Sequence, residues 1–486
     1  MLFNSLYFLL FFAITAVLYF VVPQKMKWIL LLAVSIYFYL CWNPVHIVIL
    51  LVVTLISYLT AMYINKDKAK GKKLCIGAGT VLTLAFLVVY KYYGFVMDSI
   101  YAVLDGLGIA YVKQSISLSL PVGISFYTFK AVSYMVDVYR GKIYCKNFAK
   151  YLLYVSFFPQ LASGPIERST NLIPQFDKEH KFNSQTAEIG LRLMLLGYFK
   201  KMVVADNLAG IVAKAFSSPE GCTPFVLVFS ACLYSIQILC DFSGYSDIAI
   251  GCTKVLGIDT MKNFDHPYFS KSIPEFWRRW HISLSSWFKD YLYIPLGGNR
   301  KGVLRKYVNL MIVFLVSGLW HGSSWNFVFW GFLHGLYQIV SGLTVKLRVK
   351  FCEIIKITKC EKLHNALKIV ITFALVTFAW IFFRADSIES GFTYIKCMFG
   401  NSGGAFSFAS VLAGVKMLFS TKATLISFVA AMVPFVVYSF VDYFRPVGDI
   451  IDKRGVVFKV VFYALVTAYI VLFASTAVTD FIYIRF

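Results

Sequence analysis

The chain has 486 residues, 59% of them hydrophobic and 15% charged, with a formal net charge of +23 and a mean hydropathy of +0.70. That apolar excess excludes a soluble enzyme: the hydrophobic residues fall into runs of about 18–25, the length of helix that crosses roughly 30 Å of hydrocarbon. The runs lack the alternation of barrel strands, and the lysines and arginines cluster between them. Positive-inside loops and anionic lipid therefore account for the charge, and no nucleic-acid partner is expected.

In chain order the spans are expected at about 2–22, 28–44, 45–64, 74–97, 118–138, 147–166, 187–212, 224–252, 303–320, 322–345, 366–384, 423–441 and 457–478. The first run lacks a basic leader and a clear small-residue cleavage site, so it reads as a retained span rather than a removed signal. The basic loops "PQKMK" (Pro23–Lys27) and "NKDKAKGKK" (Asn65–Lys73) belong to the cytoplasm and put the N-terminus outside. At the far end, Thr344–Lys362 and Arg445–Gly455 do the same for Phe486. With no fixed-period repeat or low-complexity linker, the chain reads as one integral domain: N-terminal spans over 1–97, a core over 117–345 and C-terminal spans over 366–486. Its ten cysteines form no C-x-x-C pair and no zinc-like spacing, so they are expected as small buried hydrophobes, not disulfides or metal ligands.

The middle differs from the flanks. Charged, aromatic and glycine residues invade "LPVGISFYTFKAVSYMVDVYRG" (Leu120–Gly141), "FFPQLASGPIER" (Phe157–Arg168) and "CDFSGYSDIAIG" (Cys240–Gly251). A charge at bilayer depth costs at least about 2.5–3.5 kcal/mol, so such residues face a polar interior or carry function. Asp241 and Asp247 are expected to pair with basic residues of neighbouring helices. Lys130, Asp137 and Arg140 read as interhelical pairs or interfacial anchors, and Glu167 and Arg168 as the end of a helix.

"IPEFWRRWHISLSSWFKDYLYIPLGGNRKG" (Ile273–Gly302) is too polar for a lipid-exposed span. At about 100° per residue, Phe276, Trp277, Trp280, Leu284, Trp287, Phe288 and Tyr291 share one stripe, with Arg279, Ser286, Lys289 and Asp290 off it. This predicts an amphipathic helix lying at the interface or plugging the bundle, with His281 at the edge of the aromatic stripe.

"LVSGLWHGSSWNFVFWG" (Leu315–Gly331) then places His321 in an apolar hairpin beside Gly318 and Gly322, which admit close approach of another chain or a substrate. Desolvation favours the uncharged ring, the state a general base needs. With no G-x-S-x-G motif, a histidine acting directly on a hydroxyl fits better than a covalent triad. His334 is expected as a buried histidine bonded to a neighbouring carbonyl. His46, His180, His266 and His364 are expected to be structural or loop residues.

"FWRRWHISLSSWFKDYLYIPLGGNRKG" followed by "SGLWHGSSWNFVFWGFLHG" resembles the membrane-bound O-acyltransferase (MBOAT) family, in particular its bacterial alginate O-acetyltransferase-like branch. "LPVGISFYTF", "FFPQLASGPIER", "DFSGYSDIAIG" and the C-terminal "FIYIRF" extend the likeness over essentially the whole chain. The resemblance implies an all-α integral membrane bundle of about 11–13 segments, with a broken-helix core and amphipathic interfacial helices. It implies that His321 is the catalytic histidine and His281 the second signature histidine. It also implies O-acetylation of an extracellular or cell-envelope polysaccharide, at the cytoplasmic membrane of a bacterium. The donor would be an acyl thioester such as acetyl-CoA or an acyl carrier protein, with no tightly bound cofactor and no metal. Membrane lipid and a separate extracytoplasmic acetyltransferase would be its partners. D-alanyl or other acyl transfer to teichoic acid or peptidoglycan ranks lower; for the D-alanyl proteins the ground is a departure from "YIPLGGNR". A transporter would also explain intramembrane charges and broken helices, but gives no reason for an aromatic helix joined to the Trp-His-Gly hairpin.

Overall fold

The computed structural model describes every residue except 67–69, 114–117, 162–163, 401–406, 476–480 and 483–486. Outside the described residues lie the expected start of the core at Ser117, Ala162 and Ser163 of the "SGPIER" string, residues 67–69 of the second basic loop and the last four residues of "FIYIRF". All described elements are helical. The chain folds as two compact units, Met1–Arg192 with Ala249–Met261, and Leu193–Ile248 with Lys262–Phe486.

The first unit contains α1 (Leu6–Val21), α2 (Gln24–Leu40), α3 (Ile47–Ile64), α4 (Lys72–Gly106), α5 (Ile124–Tyr139), α6 (Phe148–Ser156), α7 (Phe158–Leu161) and α8 (Ser169–Gln175). Helix starts follow local chemistry: Ser5 accepts from the Phe8 amide ahead of α1, and Asn147 accepts from the Ala149 and Lys150 amides ahead of α6. Two expectations change here. The span at 147–166 is not continuous, because α6 stops at Ser156 and Pro159, which has no amide hydrogen, sits in the short α7. Glu167 and Arg168 begin a helix rather than end one. The buried Glu167 carboxylate accepts from the Met261 amide at 2.8 Å and Asn171 Nδ2 at 3.0 Å, pinning the loop ahead of α8. Lys130 is buried rather than interfacial and ties α5 to α6 and α7, donating to the Tyr154 carbonyl (3.0 Å) and Gln160 Oε1 (2.8 Å).

The chain enters the second unit within α9 (Ser184–Tyr198), which continues through a π-helical stretch, Phe199–Ala205, into α10 (Asp206–Ser217). α11 (Pro224–Val255) follows, then the short α12 (Ile273–Arg279) and α13 (Ile282–Phe288), and the hairpin of α14 (Val303–His321) and α15 (Trp325–Leu343). Next come α16 (Val345–Ile354), α17 (Glu361–Arg384), α18 (Ile388–Gly400), α19 (Phe408–Leu418), α20 (Lys422–Phe444), α21 (Val447–Asp452) and α22 (Val456–Phe473). The span list left 385–422 empty; α18 and α19, of 13 and 11 residues, occupy it and are too short to cross.

Among the described residues seven helices are long and apolar enough to span a membrane: Pro44–Ile64, α4, α11, α14, α17, α20 and α22. The pair α15 and α16, bent by 61°, passes the same test. Val456, Val457, Val460, Leu465, Val471 and Leu472 of α22 are all exposed, as a lipid-facing helix requires. The chain is a multi-pass helical membrane protein.

The pairing expected for Asp241 and Asp247 is present. Lys200 Nζ meets Asp247 at 2.7 Å, and Lys201 Nζ, carried on the π stretch, meets Asp241 at 2.7 Å and Asp206 at 2.8 Å. Lys201 is fully buried, so its ammonium offsets two carboxylates that have lost their water. Replacing Lys201 with methionine is expected to destabilise the detergent-solubilised protein by about 3–5 kcal/mol, read as a lowered melting temperature. The triple change Lys201→Met, Asp206→Asn, Asp241→Asn should recover most of the loss, since it strands no charge.

Candidate active site

His321 is the last residue of α14 and is 1% exposed. The α14–α15 hairpin that carries it closes backbone to backbone. A Cβ on Gly318 would sit 2.3 Å from the Phe327 carbonyl oxygen, and one on Gly331 2.3 Å from that of Phe314. A Cβ on Gly322 would meet the Phe327 ring at 2.2 Å. The glycines do admit another chain, as expected, but that chain is α15 itself, so they leave no vacant space for substrate. Small residues four apart on both strands of the hairpin (Gly318 and Gly322, Gly331 and Gly335) give the close approach that dispersion between membrane helices needs.

His281 lies on a break, not within one long amphipathic helix. α12 ends at Arg279, His281 takes a left-handed conformation (φ 43°), and α13 restarts at Ile282. The periodicity of the aromatic stripe survives only piecewise. The residue is nevertheless fully buried. Its Nδ1 faces Asn263 Oδ1 at 3.0 Å, and the same oxygen accepts from Ser283 Oγ at 2.9 Å, while Asn263 Nδ2 donates to Ser246 Oγ at 3.0 Å. The amide's directions are thereby assigned: its oxygen only accepts, so His281 Nδ1 carries a proton and Nε2 is the ring's basic nitrogen. Phe242 stands edge-on to the imidazole, 4.6 Å between centroids.

The two histidines meet around Trp320, whose ring centroid lies 6.0 Å from that of His281 and 5.0 Å from that of His321. On its other sides His321 packs edge-to-face against Trp330 (5.0 Å) and Phe383 (5.5 Å). α17 supplies Phe383 and Trp380; its end is tied to α15 by Asn326 Nδ2, which donates to the Phe382 and Ala385 carbonyls. Residues forty positions apart in the sequence are thus brought against one indole.

Sequence reasoning missed three contributors. Asn263, on the loop ahead of α12, sets the His281 tautomer from 18 residues away, and no local pattern marks it. Trp320 appeared only as a neighbour of His321. Among the described residues His334 bonds to no carbonyl: its Nδ1 accepts from Trp277 Nε1 at 3.2 Å, because α12 lays that indole against α15. Two of the remaining histidines hold structure. His180 Nε2 donates to the Gln175 carbonyl at 2.8 Å, and His266 lies between Asp265 (3.3 Å) and Asp442 (3.0 Å).

The arrangement offers two buried imidazoles, one with an assigned basic nitrogen, inside a wall of indole and phenyl rings. It suits proton movement at a hydroxyl in a dry site. Comparison with known proteins agrees with that chemistry. A probable alginate O-acetylase, AlgI, of Azotobacter vinelandii is 36% identical over 403 residues, covering 82% of this chain and 78% of its own. A peptidoglycan O-acetyltransferase of Helicobacter pylori is 33% identical over 405 residues, covering 77% and 74%. A teichoic acid D-alanyltransferase of Streptococcus thermophilus is 26% identical over 299 residues, covering 56% and 70%. The model of the membrane-bound O-acyltransferase family matches residues 31–384, and the chain belongs to that family.

Proposed function

We propose that this O-acyltransferase moves an acetyl group from a cytoplasmic thioester, acetyl-CoA or a charged carrier protein, toward O-acetylation of a cell-envelope or extracellular polysaccharide. His321 is the general base, and His281, through Nε2, assists proton movement. The observation that carries the reading is the burial of both imidazoles against the single indole of Trp320. The acceptor hydroxyl gives its proton to His321 as its oxygen bonds to the acyl carbon. When the C–S bond breaks, the thiolate leaves with that proton. The acetyl-transferring relatives cover more of the chain, at higher identity, than the D-alanyl-transferring one, which favours acetyl as the cargo.

The setting is the bacterial cytoplasmic membrane, with both termini outside, a reading supported by the basic loops at 23–27 and 344–362. A separate extracytoplasmic transferase completes delivery to the polymer. The test uses the purified full chain in proteoliposomes, with acetyl thioester on the cytoplasmic side and a hydroxyl acceptor on the other. Free thiol should appear only when acceptor and His321 are both present. Passage of intact solute without thiol release would instead identify a transporter.

A further inference from the structure

Trp330 and His334 stand four residues apart on α15 and so share one face of the helix. Both side chains are fully buried. An indole nitrogen can only donate, so the 3.2 Å bond from Trp277 Nε1 obliges His334 Nδ1 to present its lone pair. The neutral ring therefore carries its proton on Nε2, and that nitrogen has no hydrogen-bond partner among the described residues. Trp330 Nε1 is in the same position. Buried donors are almost always paired, and two unmet donors on adjacent turns call for a reason in the chemistry of the site. Their location supplies one, because the Trp330 ring lies 5.0 Å from His321 and 4.9 Å from His334. Trp280 Nε1 is also unmet among the described residues, but the ring contacts of Trp280 are with Phe264, Tyr268, Phe276 and Trp380, not with His321 or His334.

We infer that Trp330 Nε1–H and His334 Nε2–H are the donors that receive the acyl carbonyl oxygen, with Trp277 as the positioning residue that fixes the His334 tautomer. The assignment rests on the acyl-transfer reading above. As the acceptor oxygen bonds to the carbonyl carbon, the C=O π pair moves onto the carbonyl oxygen, which accepts both hydrogen bonds. The pair returns as the C–S bond breaks. Neither donor loses its proton; the proton in transit passes through His321, with His281 assisting. Donors held ready in a dry wall need no reorganisation when charge develops, which is where such bonds contribute most.

Two measurements test this. Trp330→Phe and His334→Phe keep an aromatic ring and remove one donor each. Either should lower kcat about 10²–10³-fold while the KM for thioester stays within about twofold, the signature of an interaction made in the transition state. Trp277→Phe should lower kcat by a smaller factor, because it frees the tautomer without deleting the donor. The second measurement needs no turnover: the infrared carbonyl stretch of S-acetyl-phosphopantetheine, the arm common to both donor classes, bound to the full chain without acceptor. It should move to lower frequency in the parent and return toward the solution value in Trp330→Phe or His334→Phe. An unshifted carbonyl in the parent, or either phenylalanine variant keeping kcat within about twofold of the parent, overturns the donor pair. A parent that releases no thiol overturns the acyl-transfer reading instead, a His321 variant that releases it at the parental rate removes His321 as the base, and the carbonyl stretch still decides whether these residues hold the thioester.

Discussion

Substituting His321 with alanine is expected to cut acyl transfer by about 10²–10⁴-fold while the protein still inserts and accumulates in the membrane. The ring packs directly on Trp320, Trp330 and Phe383, and in the proposed mechanism it is the group that takes the acceptor's proton. Alanine also opens a cavity among these rings, at a cost of about 3–5 kcal/mol by analogy with aromatic truncations. His321→Phe separates the two effects. It refills the space without a basic nitrogen, so it should melt close to the parent and be as inactive as the alanine variant. Thiol release at the parental rate in either variant, measured in proteoliposomes, would remove His321 from the mechanism.

The second large effect is expected at the crossing of α14 and α15. Gly331→Ala places a methyl 2.3 Å from the Phe314 carbonyl oxygen and 3.3 Å from Gly318 Cα, and both neighbours are backbone atoms that cannot rotate aside. The helices must part, which costs about 1–3 kcal/mol or more and shifts His321 relative to Trp330. The melting temperature should drop by several degrees, and activity should fall with it. Gly210→Ala is the control, since nothing lies within 4 Å of its added Cβ and the substitution should be neutral or slightly stabilising. Equal behaviour of the two variants would mean that the hairpin tolerates separation.

Much of this protein was legible in its sequence because membrane insertion imposes a coarse rule: long apolar runs became α3, α4, α11, α14, α17, α20 and α22. The carboxylates at 241 and 247 were readable for the same reason, since a charge at that depth must find a partner. His321 stood out as an ionisable ring in an oily hairpin. The break at His281 did not, because periodicity counts residues as if the helix continued, and a left-handed histidine has no marker of the kind glycine provides. Asn263 and the Trp277–His334 bond join residues 18 and 57 positions apart, so only the folded chain reveals them. The glycines were noticed but misassigned in part, because a sequence shows that space is available and not which neighbour fills it.

The wall of rings has a consequence for selectivity. Trp277, Trp280, Trp320, Trp330, Trp380 and Phe383 are each at most 8% exposed, and they pack around His281, His321 and His334. An activated ester in such a place is shielded from the commonest competing nucleophile. In the proposed reaction, water at bulk concentration would otherwise outnumber the acceptor hydroxyl and discharge the acyl donor without product. The enzyme then need not tell a hydroxyl from water by recognising either; it is enough that one is delivered and the other is kept out.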